Sequence, residues 1–174
     1  NGLKAKEGNY KKASTRRKID LCVVHWDASL TSRNTQKILD KRGLSAHFLI
    51  DNDGTIFQTM DLNDIAYHTG DWTNNTSIGI EIANAYYPKY QKWYVENGFP
   101  ARPDWSNIEV HGRELEPFLG FYDIQIRSLE NLMSWIHKNL AIPLNFPADP
   151  SGKVLSGVMP DIKKFRGFVG HFHL

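Results

Sequence analysis

The chain has 174 residues, of which 41% are hydrophobic and 23% are charged, and its formal net charge is +2. This length fits one domain with a substantial core, and no apolar run approaches the roughly 18 residues of a membrane span, so we expect none. A single cysteine, Cys22, excludes an intramolecular disulfide framework and a paired-thiolate metal site.

The first 18 residues form a basic N-terminal lead-in that is polar and poor in branched apolar side chains. A cluster of this kind binds polyanions in some proteins, but the favoured interpretation is a solvated arm that wraps the domain. No nucleic-acid-binding motif accompanies it, so no nucleic acid partner is expected.

The first half of the domain predicts a strand, a helix and a hairpin. A continuous apolar run over residues 19–26 indicates a buried strand that carries His25 near its end. A helix follows between a cap at Thr31 and a stop near Gly43. Residues 46–50 and 55–60 are predicted strands, because the Asn-Asp-Gly sequence between them is a strong hairpin signal.

The second half predicts a strand over residues 77–83 and then a long aromatic-rich insertion over about 84–121. Apolar residues at helical spacing predict a helix over 126–140 that covers the sheet, and residues 165–172 indicate a final strand or turn. The order of elements predicts an α/β fold with a mixed central β-sheet flanked by helices.

Two histidines, His25 and His171, each lie where a predicted strand ends, and such positions can direct side chains into a cleft. Neutral imidazole is a common ligand of catalytic zinc, which takes three protein ligands and keeps one position for water. A single histidine beside an apolar strand is more often structural, so His47 and His68 stay ambiguous on this basis.

Glu81 lies inside an otherwise apolar run, where a carboxylate is costly unless it is paired or used. It would serve as the general base beside a zinc-activated water. A structural salt bridge to a lysine or arginine is an equally weighted alternative.

Five motifs in order carry a resemblance to a known family. They are VVHWDA at 23–28, SAHFLIDNDGTIFQ at 45–58, AYHTG at 66–70, SIGIEIAN at 77–84 and GHFH at 170–173. Together the motifs are similar to those of the zinc-dependent N-acetylmuramoyl-L-alanine amidases of type 2. That superfamily includes the peptidoglycan recognition proteins and the phage lysozyme-type amidases. The resemblance covers the domain from residue 19 to residue 173 and implies the same fold.

The resemblance implies hydrolysis of the amide between N-acetylmuramic acid and the first L-alanine of the peptidoglycan stem, with Zn²⁺ as cofactor. It implies zinc binding by His25 and His171 and catalysis by Glu81. His47 falls in a family motif whose histidine is more often structural. The residues assigned to substrate binding are His68, Trp26, Asn84 and His47.

Two departures from the family pattern affect the site. Ala46 stands where some branches carry a catalytic tyrosine, so Glu81 is the expected base. The family's third zinc ligand and an oxyanion-binding lysine lie several residues beyond the GHFH motif, whereas this sequence ends at Leu174. A C-terminal tail outside this sequence is the favoured expectation for the third ligand. His173 is a weaker candidate, which on a strand would face the same side as His171.

The expected partner is peptidoglycan, both glycan strand and stem peptide, and the expected state is a monomer. The sequence leaves the localisation open; action on the cell wall implies an extracellular or periplasmic place of work, and a phage-encoded enzyme made in the host cytoplasm is compatible with it. The alternative function is a non-catalytic peptidoglycan-binding module of the recognition-protein type. A polyanion-binding protein that uses the basic lead-in is a weaker third hypothesis.

Overall fold

The computed structural model describes residues 2 to 174. In chain order the strands are β1 (Tyr10–Lys11), β2 (Leu21–Trp26), β3 (Phe48–Ile50), β4 (Ile56–Gln58), β5 (Ile65–Ala66), β6 (Ser77–Ile82), β7 (Asp104–Trp105), β8 (Glu109–Val110), β9 (Arg113–Glu114), β10 (Phe118–Leu119) and β11 (Gly167–Gly170). The α-helices are α1 (Ser32–Arg42), α2 (Gln91–Glu96) and α3 (Asp123–Leu140).

The central sheet has five strands in the order β11, β2, β6, β3, β4. Neighbours run parallel except β4, which pairs antiparallel with β3 across the predicted hairpin. This arrangement confirms the predicted α/β fold with a mixed central sheet. Because four strands are parallel, their carboxyl ends meet at one edge, where ligands bind in open α/β sheets.

Helices cover both faces of the sheet. On one face, α3 packs Leu132 and Ile136 against isoleucines of β6. On the other face, Leu39 of α1 belongs to a smaller cluster with Leu3 and Leu49. Helix α1 has the predicted ends, since the Thr31 side chain accepts a hydrogen bond from a first-turn amide and Gly43 adopts a left-handed conformation after the last turn.

The C-terminal segment differs from the sequence-based expectation. Strand β11 ends at Gly170, and His171–His173 form a 3₁₀ turn instead of continuing the strand. The expectation that His171 and His173 face the same side of one strand is therefore wrong.

The insertion over 84–121 is more ordered than its composition suggests. It contains α2 and two antiparallel pairs, β7 with β10 and β8 with β9. The lead-in also has structure, because β1 pairs antiparallel with β5.

Candidate active site

A cleft of about 720 Å³ lies at the carboxyl edge of the parallel strands. Polar side chains form its floor, among them His25 and Glu81 of the sheet and His171, which directly follows β11. Apolar side chains of the helices and the insertion form its walls, including Leu39, Trp105, Ile108, Leu115, Phe118, Phe121 and Leu129.

The register of the strands places His25, Glu81 and His171 at adjacent positions across the sheet. His25 of β2 lies directly opposite Glu81 of β6, so both side chains point to the same face. Gly170 of β11 lies opposite Val24, which puts the next residue, His171, beside His25. The rings of the two histidines are 4.6 Å apart between centroids.

A series of hydrogen bonds through Ser77 and His68 orients the ring of His25. Ser77 donates its hydroxyl proton to the Thr73 carbonyl at 2.7 Å and lies 3.0 Å from Nε2 of His68. Nδ1 of His68 in turn lies 2.9 Å from Nε2 of His25. His68 reaches this position because Gly79 has no side chain, since a Cβ there would approach the His68 ring to 2.8 Å.

The order of donors in this series fixes the tautomers of both rings. The Ser77 hydroxyl donates its proton to the Thr73 carbonyl, so its oxygen accepts the hydrogen bond from His68. Nε2 of His68 is therefore the protonated nitrogen, and Nδ1 of His68 carries the lone pair. Nε2 of His25 must then donate, which leaves Nδ1 of His25 as a free lone pair. Burial, and then the neighbouring His171, lower the pKa of His25 to about 3. His25 therefore stays neutral, which is the state in which imidazole binds metal.

Glu81 lies beside that free nitrogen. Its side chain is 10% exposed, and Oε1 is 4.0 Å from Nδ1 of His25. Because His25 is neutral, this contact is not an ion pair, and within residues 2–174 Glu81 has no salt bridge to a lysine or arginine. Burial and then the charge of Asp27 raise the pKa of Glu81 well above its usual range, and the charge of Arg42 opposes them.

Asp27, two residues after His25, is a feature of the site that the sequence analysis missed. Its carboxyl group accepts hydrogen bonds from the Thr35 hydroxyl and from the backbone amides of Ser29 and Asn84 at 2.8 and 3.2 Å. Burial raises the pKa of Asp27 to about 7 against these hydrogen bonds. Its position directly after the strand that carries His25 was the available signal, because the carboxyl ends of parallel strands are where ligands bind.

The residues predicted to bind substrate separate into two groups. Trp26 and His68 line the cleft. Asn84 is fully buried, and its side-chain amide donates to the Leu119 carbonyl at 2.7 Å. His47 is also fully buried, since Nδ1 accepts from the Gly79 amide and Nε2 lies 3.0 Å from the Asp64 carbonyl. Asn84 and His47 thus support the fold behind the cleft and do not line it.

The ring of His173 has no free nitrogen for a metal ion. Nδ1 accepts from the Gly170 amide at 2.9 Å, so Nε2 carries the proton and donates to the Leu155 carbonyl at 2.8 Å. Within residues 2–174, no group of three or more His, Cys, Asp or Glu side chains is arranged to hold a metal ion. The donor set present, two imidazoles, thus fits two of the three protein ligands of a catalytic zinc site.

The insertion crosses the mouth of the cleft. At the tip of the β8–β9 hairpin, His111 donates its amide proton to the Ser156 carbonyl at 2.7 Å. Its ring also lies 6.4 Å from that of Phe172, in the turn that follows β11. The hairpin therefore joins the C-terminal segment over the cleft, and Val110 and Leu115 form part of the cleft wall.

A parallel sheet that presents paired histidines and a buried glutamate to a deep cleft defines an α/β domain with a candidate metal-assisted catalytic site. The chain belongs to the N-acetylmuramoyl-L-alanine amidase family, whose sequence profile matches residues 15–171. This membership confirms the resemblance read from the five motifs, and the family is generally zinc-dependent.

Solved structures support the fold. The chain is similar to the amidase AmiD from E. coli, solved with anhydro-N-acetylmuramic acid-L-Ala-D-gamma-Glu-L-Lys, at 21% identity and a TM-score of 0.52 over 82% of this chain and 54% of that chain. It is similar to AMPDH3 from Pseudomonas aeruginosa, solved with anhydromuramic pentapeptide, at 21% identity and a TM-score of 0.51 over 97% and 57% of the two chains. The amidase LysC from Clostridium intestinale matches at 16% identity and a TM-score of 0.50 over 98% and 83%.

The chain spans a little more than half the length of the first two of these proteins. No curated protein sequence was found to match it. In the region of the chain that the structure describes, no helix combines the length and apolar character needed to cross a membrane.

Proposed function

We propose that this chain hydrolyses the amide between the lactyl group of N-acetylmuramic acid and the first L-alanine of the peptidoglycan stem peptide. The observation that carries the proposal is the level arrangement of His25, Glu81 and His171 on the cleft floor of a chain in the amidase family. The muramoyl peptides bound in the two similar structures have the chemistry that this cleft would accept.

In the proposal, His25 and His171 would hold a zinc ion as two of its three protein ligands. When bound, zinc supplies Lewis-acid polarisation of the scissile carbonyl and acidifies a water molecule, whose pKa falls to about 7. The free lone pair on Nδ1 of His25 supports its role in this assignment, because the hydrogen bonds through His68 hold the ring in the ligand tautomer.

Glu81 is the proposed proton carrier. Its carboxylate takes a proton from the attacking water while the water oxygen bonds to the carbonyl carbon. It then returns that proton to the nitrogen of L-alanine as the C–N bond breaks, so the products are a carboxylic acid and a free amine. A raised pKa makes the Glu81 carboxylate a stronger proton acceptor for the attacking water than an exposed glutamate would be.

The substitution Glu81→Gln tests the assignment. We expect kcat to fall by on the order of 10²-fold or more, since general base catalysis contributes that much, while bound zinc stays unchanged. The assay incubates zinc-loaded protein with purified sacculi and measures released stem peptides that carry a new N-terminal alanine. Glu96→Gln on the exposed face of α2 is the matched control. Wild-type rates in Glu81→Gln would show that Glu81 is structural.

A non-catalytic peptidoglycan-binding module is the second candidate, and the engagement of both His173 ring nitrogens by backbone groups favours it. The same assay separates the two functions. Binding to sacculi without peptide release, in the presence of added zinc, would support the module and contradict hydrolysis.

A further inference from the structure

Four aromatic rings form a continuous path from the cleft wall to the protein surface, and we call them the aromatic ladder: Trp26, Tyr86, Tyr87 and Tyr90. Trp26 lines the cleft, and its ring centroid is 4.8 Å from that of Tyr86. Tyr86 lies 4.2 Å from Tyr87, and Tyr87 lies 6.4 Å from Tyr90. The ladder thus extends the catalytic cleft beyond its mouth.

Tyr87 is the exposed member of the ladder, whereas Tyr86 and Tyr90 are half-buried. Tyr87 is 50% exposed. By contrast, Tyr94 and Tyr122 are buried against the guanidinium group of Arg102, with its central carbon 4.3 and 4.2 Å from their ring centroids. Packing around Arg102 therefore explains Tyr94 and Tyr122, but it does not explain the exposed ring of Tyr87.

The ladder also presents polar groups along its edge. The hydroxyl groups of Tyr86 and Tyr87 are hydrogen-bonded to each other at 2.9 Å. The Lys89 ammonium group lies over the faces of the Tyr87 and Tyr90 rings, 5.3 and 5.2 Å from their centroids, so its flexible side chain must move aside where a sugar stacks on those faces. Flat apolar faces with hydroxyl groups at their rims match the pyranose ring, which has C–H faces and an equatorial belt of hydroxyl groups.

The backbone beneath the ladder is fixed. Pro88 begins the 3₁₀ turn Pro88–Tyr90, and the Tyr90 amide donates to the Tyr87 carbonyl at 2.9 Å. The Tyr86 carbonyl accepts from the Leu119 amide at 2.7 Å, which ties the ladder to β10. Aromatic side chains held in place before binding lose little conformational entropy on contact with a ligand.

We propose that the aromatic ladder binds sugar residues of the glycan strand that adjoin the muramoyl group in the cleft. This inference rests on the proposed function, because it requires a muramoyl group of the glycan strand to be bound in the cleft. The sugars on either side of that group then extend away from the scissile bond. Its consequence is substrate selection: polymeric glycan carrying stem peptides would be cleaved in preference to a single muramoyl peptide.

The double substitution Tyr87→Ala and Tyr90→Ala tests this with two substrates that share the same stem peptide. One is a single muramoyl peptide, and the other is a glycan strand of several disaccharides. We expect kcat/KM on the strand to fall about tenfold, which is the effect of losing two stacking contacts, and kcat/KM on the single sugar to stay unchanged. Trp135→Ala is the control, since Trp135 is 46% exposed on α3 and does not line the cleft.

A binding measurement separates failure of the inference from failure of the proposed function. Tryptophan fluorescence is titrated with peptide-free glycan strands, which contain no scissile bond. Binding that the double variant loses and Trp135→Ala keeps supports the ladder even if the wild type releases no peptide. An equal loss of activity on both substrates, no loss on either, or no binding of peptide-free strands by the wild type overturns it. If the double variant is unfolded by circular dichroism, Tyr87→Leu, which keeps apolar volume without a ring, replaces it with the same expected outcomes.

Discussion

At the scale of single residues, the buried histidines have different roles that follow from their hydrogen bonds. Nδ1 of His25 is free and lies beside Glu81, whereas both nitrogens of His47 and of His173 are engaged by backbone groups. His68 stands between the two types, because it lines the cleft but uses both nitrogens to connect Ser77 with His25. Burial alone does not distinguish a ligand from a structural histidine, while the direction of each donor does.

His47 predicts a specific acid sensitivity. Burial lowers its pKa to about 3, and the charge of Arg17 adds to this, against a hydrogen bond to Asp64 that raises it. Below the unfolded-state pKa of about 6.5, the His47 side chain binds a proton in the unfolded chain but not in the folded chain. Stability from neutral His47 is therefore complete above this pH, and it falls by about 1.4 kcal/mol for each unit of pH down to the folded-state pKa.

The measurement is urea unfolding between pH 7 and pH 4 with a chelator present, so that metal binding adds no pH dependence. His47→Gln does not titrate in this range, so it should reduce the slope of unfolding free energy against pH. The expected reduction corresponds to the uptake of about one proton fewer on unfolding. An unchanged slope would mean that His47 is protonated in the folded state. Exposed His111 supplies the control substitution, His111→Gln.

At the scale of elements, the insertion owes its position to one buried cation. The guanidinium group of Arg102 donates to the carbonyls of Ala83 and Gly120 at 3.0 and 2.9 Å and to the Asn52 side chain at 2.5 Å. These acceptors lie after β6, after β10 and after β3 respectively, so Arg102 fastens the insertion to the carboxyl edge of the sheet. The walls of the cleft depend on that attachment.

Arg102→Met should destabilise the whole domain. The substitution keeps a long apolar chain but leaves several buried acceptors without a donor, at a cost of about 3 kcal/mol or more. For a domain of this length we expect Tm to fall by roughly 10 °C, measured by circular dichroism or calorimetry. Arg113→Met in the exposed strand β9 is the matched control and should change Tm little. A Tm within about 2 °C of the wild type would show that the insertion is held by its aromatic packing alone.

The sequence predicted the regular elements and only some of the site, for physical reasons that differ. The ends of α1 were predictable because Thr31 and Gly43 act locally. The pairing of His25 with Glu81 was not, because it depends on the order of strands in the sheet. Asn84 was assigned to the substrate since it ends a family motif, yet the insertion buries its side chain. Short strands such as β7 and β10 carry too few residues to show an alternating pattern.

At the scale of the whole molecule, the lead-in belongs to the fold. Leu3 joins the cluster beneath α1, and the Ala5 amide donates to the Thr59 carbonyl at 3.0 Å. Arg17 reaches further, with its guanidinium group donating to the carbonyls of Leu62 and Ser77 at 2.9 and 2.8 Å. The interpretation of this segment as an arm that wraps the domain fits these contacts, and Arg17 shows that its basic residues are not all solvated.

Removal of residues 2–18 should therefore destabilise the domain as a unit. Deletion exposes the cluster around Leu39 and Leu49, which Leu3 covers, and leaves the carbonyls of Leu62 and Ser77 without the Arg17 donor. Burial of one leucine contributes about 2 kcal/mol and each lost hydrogen bond about 1 kcal/mol, so the loss is about 4 kcal/mol, a large part of the stability of a marginally stable domain. Urea unfolding should give a midpoint far below that of the full chain, or the deleted chain should aggregate. The double substitution Lys11→Gln and Lys12→Gln removes charge without removing these contacts and should keep the midpoint of the full chain. A deleted chain with an unchanged midpoint would contradict the structural role and restore the interpretation of a purely solvated arm.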